Sequence, residues 1–330
     1  MVNIGIIGAG SWAGAIAILL NNNGHKVEMW SHDQSIVDVF NETRQLKNAL
    51  PDMFFDESIE ISTDLERVST NKDVIVVAVA SPFVRSTVTK AKAFMKDKQI
   101  IVNCSKGIED SSLKTLTDVI LELVPNSHVA VLSGPSHAEE VSKSVPTTVV
   151  VGASDKVTAK FLQDVFMNEN FRVYTSNDLL GIEIGAALKN VIALAAGTSD
   201  GLGFGDNTKA ALMTRGIAEI TRLGIAMGGN PETFAGLSGM GDLIVTCSSK
   251  HSRNRMAGYY IGKGYTAKEA MDKVQQVVEG ANSAKAALAL AKKYNVEMPI
   301  VEQINLVLFE DKNPKEAVSN LLLRNKKEEF

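Results

Sequence analysis

The stretch Ile4-Gly5-Ile6-Ile7-Gly8-Ala9-Gly10-Ser11-Trp12-Ala13, near the start of the chain, decides the fold. A β-branched apolar run ends there in a glycine-rich turn, and the helical stretch Gly14–Leu20 follows. Gly8 permits a tight turn, Gly10 lets a ligand approach the backbone, and the small Ala13 permits close packing of the helix against the strand. Together they predict the first strand–helix unit of a dinucleotide-binding domain, with the pyrophosphate at the helix N-terminus.

Short apolar runs continue to alternate with amphipathic stretches as far as about Thr175. Continuous β-branched runs such as Val74-Ile75-Val76-Val77 suit strands that are buried on both faces of a parallel sheet. The predicted strands are Asn3–Ile7, Val27–Trp30, Val74–Val79, Ile100–Cys104, Val129–Leu132, Thr147–Val151 and Arg172–Tyr174. With helices between them, they predict an α/β, doubly wound, Rossmann-type domain over residues 1–179.

Beyond about Leu180 the strand signal gives way to alanine-rich helical periodicity. The predicted helices are Ile182–Ala196, Lys209–Met227, Asn254–Tyr260, Ala267–Val278, Ser283–Tyr294 and Pro299–Phe309. Glycine clusters separate some of them, at Gly197–Gly203 and Gly236–Gly241. These features predict a second, all-α domain over residues 180–330.

Length and composition limit the classes of function. A chain of 330 residues exceeds the size of most single cores, so two domains are expected. The formal net charge of −4 argues against a nucleic-acid surface. No uncharged apolar run has the length of a membrane span, and no signal peptide is evident. With Cys104 and Cys247 far apart and expected to be reduced, the sequence predicts a cytoplasmic protein without a nucleic-acid or membrane partner.

The tip of the second strand bears on the choice of coenzyme. Val27–Trp30 is followed by Ser31-His32-Asp33, so no acid stands directly at the tip. An acid there would bind the ribose hydroxyls and repel a 2′-phosphate, whereas Ser31 and His32 could accept that phosphate. Asp33 could still turn inward and favour NAD. The sequence favours NADP(H) and leaves the use of both NADP(H) and NAD(H) open.

Two loops are expected at the carboxyl ends of strands, where this fold binds its ligands. Lys106 follows one strand within Asn103–Gly107, so it either faces the cleft or is a solvated loop lysine. Leu132–Glu139 follows another strand and places Ser136 and Glu139 at the spacing of a capping box. A capped helix N-terminus at this edge would also suit an anion or a carbonyl oxygen.

Lys189 is the most informative single residue. It lies in the apolar helical stretch Gly181–Gly197, in a stripe of small and apolar residues at three- and four-residue spacing. Glu183 and Asn190 occupy another stripe. The lysine could reach back to water, but an ammonium in a cleft walled by small residues can protonate or polarise a substrate carbonyl.

A run of hydrogen-bond donors extends from Cys247 to Arg255 and contains no acid. Arginine matches phosphate oxygens with two parallel hydrogen bonds, so the run predicts an anion site, with a solvated polar loop as the alternative. Asp242, just before this run, follows a glycine turn, and spacing alone favours a structural role for it in that turn. The five histidines form no metal-binding pattern, so no catalytic metal is expected.

Taken together, these motifs resemble those of the bacterial NAD(P)-dependent glycerol-3-phosphate dehydrogenases. The resemblance covers essentially the whole chain, and its most specific motifs lie in the second half. The stretches that carry it are Gly8–Ala13, Cys104–Ile108, Leu132–Glu139, Lys189-Asn190, Gly236–Leu243, Ser252–Asn254 and Val277–Gly280. It implies a 6-phosphogluconate-dehydrogenase-like arrangement of the two domains, in a cytoplasmic and often homodimeric protein.

The resemblance also implies a reaction and a set of roles. Dihydroxyacetone phosphate, a small phosphorylated triose, would be reduced to sn-glycerol 3-phosphate for glycerophospholipid synthesis. Lys189 would be the general acid/base, Asp242 would orient it, and Lys106 would assist at the carbonyl. The further residues implied for the substrate are Gly134, Ser136, Ser252, Arg253 and Asn254, with the last two at its phosphate. Those implied for the cofactor, beside Gly8 and Gly10, are Ser11, Trp12, His32, Lys106, Ala138, Arg253, Val277 and Glu279.

Two other hypotheses stay open at the level of sequence. One is a dehydrogenase of the same two-domain build that acts on a hydroxyacyl-CoA or a sugar acid. The other is a non-catalytic protein that senses NAD(P). A sensor would not need Lys189 or Asp242.

Overall fold

The first half of the chain is built on a sheet of eight strands in the computed structural model, which describes residues 1–326, 328 and 329. The strands are β1 Asn3–Ile7, β2 Lys26–Trp30, β3 Glu60–Ser62, β4 Val74–Val77, β5 Ile100–Asn103, β6 His128–Ser133, β7 Thr147–Ala153 and β8 Phe171–Ser176. Their order across the sheet is β3-β2-β1-β4-β5-β6-β7-β8. This confirms the doubly wound α/β fold.

Helices pack on both faces of this sheet. They are α1 Ser11–Asn22, α2 Gln34–Thr43, α3 Leu65–Ser69, α4 Val84–Ala91, α5 Leu116–Leu123, α6 Ala138–Val141 and α7 Lys156–Phe166. Alternate residues of a strand point to opposite faces, so Val74 and Val76 enter one hydrophobic cluster while Ile75 and Val77 enter another. Full burial of all four side chains explains why this strand is a continuous apolar run.

Apart from shifts of one or two residues at the ends of several strands, the sheet differs from the prediction in two places. β3 is only three residues long and was not predicted, because Glu60-Ile61-Ser62 is too short to show an alternating pattern. β7 runs antiparallel to β6, whereas β8 runs parallel to β7. The connection from β6 to β7 contains only the one-turn helix α6, which does not cross the sheet as the longer helices of parallel units do. The last two strands therefore run opposite to the other six.

The described part of the second half is helical, which confirms the all-α prediction. Its helices are α8 Leu179–Gly201, α9 Asp206–Ala226, α10 Pro231–Ala235, α11 Asp242–Ser248, α12 Arg253–Gly262, α13 Ala267–Val274, α14 Glu279–Lys293, α15 Pro299–Phe309 and α16 Pro314–Leu322. The division predicted between residues 179 and 180 falls inside the first turn of α8 and stays a prediction. Lys327 and Phe330, in the predicted range 180–330, lie outside the described residues.

Helix α8 is the centre of this half. Among the described residues it is the one helix long and apolar enough to cross a membrane, and 89% of its most apolar window is buried inside the protein. The sequence predicts a helix end at Gly197, but α8 continues through Gly201. A Cβ atom at either glycine would overlap the backbone of α12, and one at Gly258 or Gly262 would overlap the backbone of α8. The glycines therefore let two helices touch backbone to backbone instead of ending one.

Several short helices were not predicted. These are α10, α11 and α16, none longer than nine residues, so each shows too few turns for a clear period. Helix α13 ends at Val274, earlier than predicted, because Gln275 has φ 56° and leaves the helical conformation. Asp242 is the first residue of α11, so the structural role in a turn that spacing favours is wrong.

Candidate active site

A cleft with a cavity volume of about 710 Å³ lies between the carboxyl edge of the sheet and the helical half. Of the residues predicted for the site, all but Gly134 line this cleft. The lining residues among them are Gly8, Gly10, Ser11, Trp12, His32, Lys106, Ser136, Ala138, Lys189, Asp242, Ser252, Arg253, Asn254, Val277 and Glu279. Gly134 is buried behind the wall, where its carbonyl accepts hydrogen bonds from Lys106 Nζ at 3.3 Å and Ser136 Oγ at 2.9 Å. It supports two lining residues instead of facing the cleft.

The glycine turn leaves room for an anion. Gly8 has φ 139°, in the region that favours glycine, and a Cβ atom there would overlap the backbone of Ala78. At Gly10, the N-cap of α1, a Cβ atom would meet no described atom within 4 Å, and no side chain caps the helix. The N–H groups at the start of α1 are thus open to a phosphate. Trp12 Nε1 is buried and has no hydrogen-bond partner in the described chain, as expected of a donor whose acceptor is a bound ligand. These features fit a dinucleotide.

The side chains at the tip of β2 bear on whether NADP(H) or NAD(H) is preferred. Ser31 and His32 line the cleft, whereas Asp33 does not. Asp33 caps α2 instead, and its Oδ1 accepts from Ser35 N at 2.8 Å and Ser35 Oγ at 2.7 Å. These hydrogen bonds lower the pKa of Asp33. The carboxylate that could have turned inward is therefore engaged in the helix cap.

Three charged side chains meet in the cleft where the two halves of the chain come together. Lys189 Nζ lies 2.5 Å from Asp242 Oδ1, and Lys106 Nζ lies 2.8 Å from Asp242 Oδ2. Lys189 also donates to Thr246 Oγ1 at 2.8 Å. Lys189 is 5% exposed and Asp242 is 1% exposed, so this lysine does not reach back to bulk water. One buried carboxylate thus holds the ammonium groups of two lysines from different halves.

Burial sets the protonation of this group. It lowers the pKa of Lys189 to about 7, against the opposing attraction of Asp242. Burial alone would raise the pKa of Asp242, but Lys106 and Lys189 outweigh it, so the net shift is downward. At neutral pH, Asp242 is therefore ionised while Lys189 can hold or release a proton.

Ser136 and Glu139 do not form the predicted capping box. Helix α6 begins at Ala138, so the N-cap is His137, one residue later than Ser136, and no side chain caps it. The Ser136 hydroxyl donates to Gly134 O and lines the cleft instead. His137 also lines the cleft, and its buried Nε2 lacks a hydrogen-bond partner in the described chain. Burial, and then the charge of Lys189, lower the pKa of His137, so the imidazole is neutral at pH 7.

The predicted donor run divides at the start of α12. Ser252 caps the helix and accepts from Arg255 N at 3.2 Å, and Arg253 is the first helical residue. The Arg253 side chain is exposed and lines the cleft. Arg255 points elsewhere, where its Nε donates to Asp200 Oδ2 at 2.8 Å. Only part of the run therefore faces the cleft, because successive residues of the helix point in different directions.

Asn254 is a buried junction between three helices. Its amide donates to Asn190 Oδ1 on α8 at 3.0 Å and accepts from Gly280 N on α14 at 2.8 Å. Both ends of the amide are therefore used within the protein, although the side chain borders the cleft.

Glu279 joins the two halves at another side of the cleft. Its Oε1 accepts from Ser81 N at 3.0 Å and its Oε2 from Ser81 Oγ at 2.5 Å. Burial raises the pKa of Glu279. Val277, two residues earlier, is 41% exposed at the cleft.

Several lining residues were missed at the level of sequence. Phe83 and Lys90 follow β4, and the rule applied to the loops after β5 and β6 would have drawn attention to them. Thr246 lies one helical turn after Asp242, and His137 stands beside Ser136. In the described chain, no three His, Cys, Asp or Glu side chains gather in the way that a metal site requires.

Comparison with known proteins gives consistent matches over nearly the whole chain. Residues 3–159 match the NAD-dependent glycerol-3-phosphate dehydrogenase N-terminus, and residues 178–319 match the NAD-dependent glycerol-3-phosphate dehydrogenase C-terminus. Glycerol-3-phosphate dehydrogenase [NAD(P)+] of Agathobacter rectalis is 58% identical over 99% of this chain and 97% of its own length. The protein of the same name from Fusobacterium nucleatum is 56% identical over 100% and 99%.

A solved structure agrees with these matches. The crystal structure of glycerol-3-phosphate dehydrogenase from Coxiella burnetii superposes with a TM-score of 0.95 at 36% identity. The match covers 98% of this chain and 99% of that one, so it includes both halves and the cleft between them.

Proposed function

The chain belongs to the NAD-dependent glycerol-3-phosphate dehydrogenase family, and we propose which of its residues carry out the reaction. It is an oxidoreductase that interconverts dihydroxyacetone phosphate and sn-glycerol 3-phosphate with NAD(P)H. The full-length matches decide against a hydroxyacyl-CoA or sugar-acid dehydrogenase and against a sensor without chemistry. One observation carries the proposal for the site: Asp242 holds the ammonium groups of Lys106 and Lys189 together at the cleft.

The glycine turn and the N-terminus of α1 would hold the cofactor pyrophosphate. This is supported by the open space at Gly10 and by the indole N–H of Trp12, which has no hydrogen-bond partner among the described residues. When bound, the cofactor supplies the hydride that reduces the substrate carbonyl carbon. Ser11, Ala138 and Val277 also line the cleft, where they would shape the walls of the dinucleotide site.

Lys189 would donate the proton that the substrate oxygen needs. An ammonium has three N–H groups, and the described contacts of Lys189 use two of them, to Asp242 and Thr246. The third remains for a ligand in the cleft. A pKa of about 7 lets this group give up its proton in reduction and take it back in oxidation at neutral pH.

Lys106 would stabilise the same oxygen as negative charge develops on it. Its Nζ donates to Asp242 and Gly134, which again leaves one N–H for a ligand among the described contacts. Asp242 would keep both ammonium groups in place, and its single negative charge would offset part of theirs before the substrate arrives. Two donors would then converge on one carbonyl.

Arg253 would bind the phosphate of the substrate. Its exposed guanidinium stands at the cleft on the first turn of α12, where the helix dipole also favours an anion. Binding the remote phosphate would orient the carbonyl towards the two lysines. Asn254, Ser252 and Ser136 would complete this pocket at its edges.

NADP(H) would be the preferred coenzyme. The support is that Ser31 and His32 face the cleft while the Asp33 carboxylate caps α2. We place the enzyme in the cytoplasm, supplying glycerophospholipid synthesis, in keeping with the burial of its apolar helix α8. The homodimer implied by the family resemblance stays a prediction.

The direct test follows the absorbance of the reduced nicotinamide with dihydroxyacetone phosphate, in parallel with NADPH and NADH. Rapid oxidation is expected with both, and the ratio of the two kcat/KM values measures the preference. Folded protein that binds NADPH but oxidises neither coenzyme would contradict the proposal.

A further inference from the structure

A second buried carboxylate joins the two halves of the chain without touching the cleft. Glu183 lies near the start of α8 and is 4% exposed. Its Oε1 accepts from Asn103 Nδ2 at 3.1 Å and from Thr117 N at 3.0 Å, and its Oε2 accepts from the Thr117 hydroxyl. The carboxylate belongs to the helical half, and its donors belong to the sheet half.

Burying this carboxylate costs free energy, since it loses hydration that its hydrogen bonds replace only in part. Burial raises the pKa of Glu183 to about 7 in spite of the donors from Thr117. Apolar side chains at this position and at its partners would avoid that cost, whereas an apolar residue in place of Glu183 alone would leave the donors of Asn103 and Thr117 without an acceptor. The contact therefore calls for an explanation other than stability.

The residue that Glu183 holds also shapes the loop that carries Lys106. Asn103 ends β5, its Oδ1 accepts from Ser105 N at 3.0 Å, and its Nδ2 donates to Ser105 O at 3.2 Å. The Asn103 side chain thus fixes the backbone of the residue directly before Lys106. The Ser105 hydroxyl is held in turn by the carbonyl of Val79 at 2.6 Å.

These contacts form a closed path that starts and ends on α8. It runs from Glu183 through Asn103 to the Lys106 loop, then from Lys106 through Asp242 to Lys189. Glu183 and Lys189 belong to the same helix. The Lys106 loop is therefore held against α8 by two separate contacts, one through Asn103 to Glu183 and one through Asp242 to Lys189.

We propose that Glu183 is a positioning residue, which sets the Lys106 ammonium against Lys189 by holding Asn103 across the two halves. This rests on the proposed role of Lys106 in the reaction. Without Glu183, the amide of Asn103 would keep only its contacts with Ser105, so nothing would hold it against α8 and the Lys106 loop would move. A displacement of about 1 Å at a reacting group costs about 100-fold in rate.

Glu219 provides a matched control. It is also a buried glutamate, 2% exposed, and burial likewise raises its pKa to about 7. Its carboxylate accepts from Ile300 N at 2.8 Å and Val301 N at 3.3 Å at the start of α15, and it does not line the cleft. Replacing it disturbs a buried carboxylate of the same kind without disturbing the Lys106 loop.

The experiment compares Glu183→Ala, Glu183→Gln and Glu219→Ala for melting temperature, NADPH dissociation constant, kcat and KM. We expect Glu183→Ala to lower kcat by about 30- to 100-fold with an unchanged NADPH dissociation constant. Glu183→Gln keeps an acceptor for Asn103 and should restore most of kcat. Glu219→Ala should lower the melting temperature but keep kcat. Folded Glu183→Ala with wild-type kcat would overturn the inference.

A double-mutant cycle with Lys106→Ala separates positioning from general damage. If Glu183 acts through Lys106, adding Glu183→Ala to Lys106→Ala should lower kcat no further. A loss that multiplies that of Lys106→Ala would overturn the inference. If Lys106→Ala alone keeps wild-type kcat, the proposed role of Lys106 fails instead.

Asn103→Ser tests the same contact should Glu183→Ala not fold. Serine can still accept from Ser105 N but cannot reach Glu183 with an amide donor. We expect a loss of kcat similar to that of Glu183→Ala, and a wild-type kcat in this variant would overturn the inference.

Discussion

Lys189 Nζ and Asp242 Oδ1 are 2.5 Å apart, although 53 residues separate them and both side chains are buried. A buried ion pair of this kind contributes little to stability by itself, because both groups lose their hydration. Here the second oxygen of the carboxylate binds Lys106, so the pair is part of a three-residue unit across the two halves. This unit places two ammonium groups next to each other in the cleft.

Lys189→Ala should lower kcat by about 1000-fold, within the range that a general acid contributes. Asp242 would keep its contact with Lys106, so we expect the variant to fold and to bind NADPH normally in a fluorescence titration. Lys209→Ala is the control, since Lys209 pairs with Asp200 at 2.8 Å outside the cleft. A wild-type kcat for Lys189→Ala would remove this lysine from the mechanism.

The two directions of the reaction should respond oppositely to pH. Burial lowers the pKa of Lys189 to about 7, so the ammonium that reduction needs is lost as the pH rises through that value. The free amine that oxidation needs is gained over the same interval. Initial rates at limiting substrate should therefore show kcat/KM for reduction falling, and kcat/KM for oxidation rising, as the pH passes through about 7. Parallel profiles in the two directions would contradict the assignment.

Arg253→Ala should raise the KM for dihydroxyacetone phosphate by about 10- to 100-fold, as expected for the loss of charge-assisted hydrogen bonds. The cofactor dissociation constant should change much less than the KM. Lys250→Ala gives the comparison, because Lys250 is an exposed cation three residues earlier that does not line the cleft. An unchanged KM in Arg253→Ala would move the phosphate site elsewhere.

His32→Asp should shift the coenzyme preference towards NADH. An acid at this exposed position beside the tip of β2 would repel a 2′-phosphate and could bind ribose hydroxyls. Asp33→Asn should leave the ratio unchanged, because Asp33 caps α2 and asparagine can do the same. The ratio of kcat/KM for NADPH and NADH measures both effects. A shift in Asp33→Asn but not in His32→Asp would reverse the two roles.

Gly258→Ala should destabilise the protein by about 2–3 kcal/mol, since the new Cβ would overlap the backbone of α8 at Leu194. Gly205→Ala should cost about 1 kcal/mol or less, because a Cβ there meets no described atom within 4 Å and its φ of −92° is ordinary. Urea unfolding of both variants checks this. Equal losses would show that the helix crossing tolerates a methyl group.

Local patterns in the sequence identified much of the fold and of the site. The glycine turn at Gly8 and Gly10 is a local motif, so its strand, its helix and its cofactor could be predicted together. The small-residue stripe around Lys189 also pointed to a cleft, because helical periodicity shows which residues share a face.

Contacts between distant residues could not be predicted in this way. Spacing assigned Asp242 to a turn, since nothing near it in the sequence shows that two lysines meet it. Ser136 was assigned to a helix cap, although the N-cap of α6 is His137, one residue further on than the pattern suggests. Glu183 belongs to an apolar helix, and its partner Asn103 comes from a different half of the chain.

The crossing of α8 and α12 has a consequence for which compounds the enzyme accepts. Lys189 lies two turns before Gly197 on α8, and Arg253 begins α12. The helices touch at four glycines, so neither can slide along the other without a backbone collision. As proposed above, Lys189 and Arg253 would contact opposite ends of the substrate, and the crossing fixes the distance between the backbone positions that carry them. A phosphorylated ketone with one more carbon between carbonyl and phosphate would then match this spacing less well and bind more weakly.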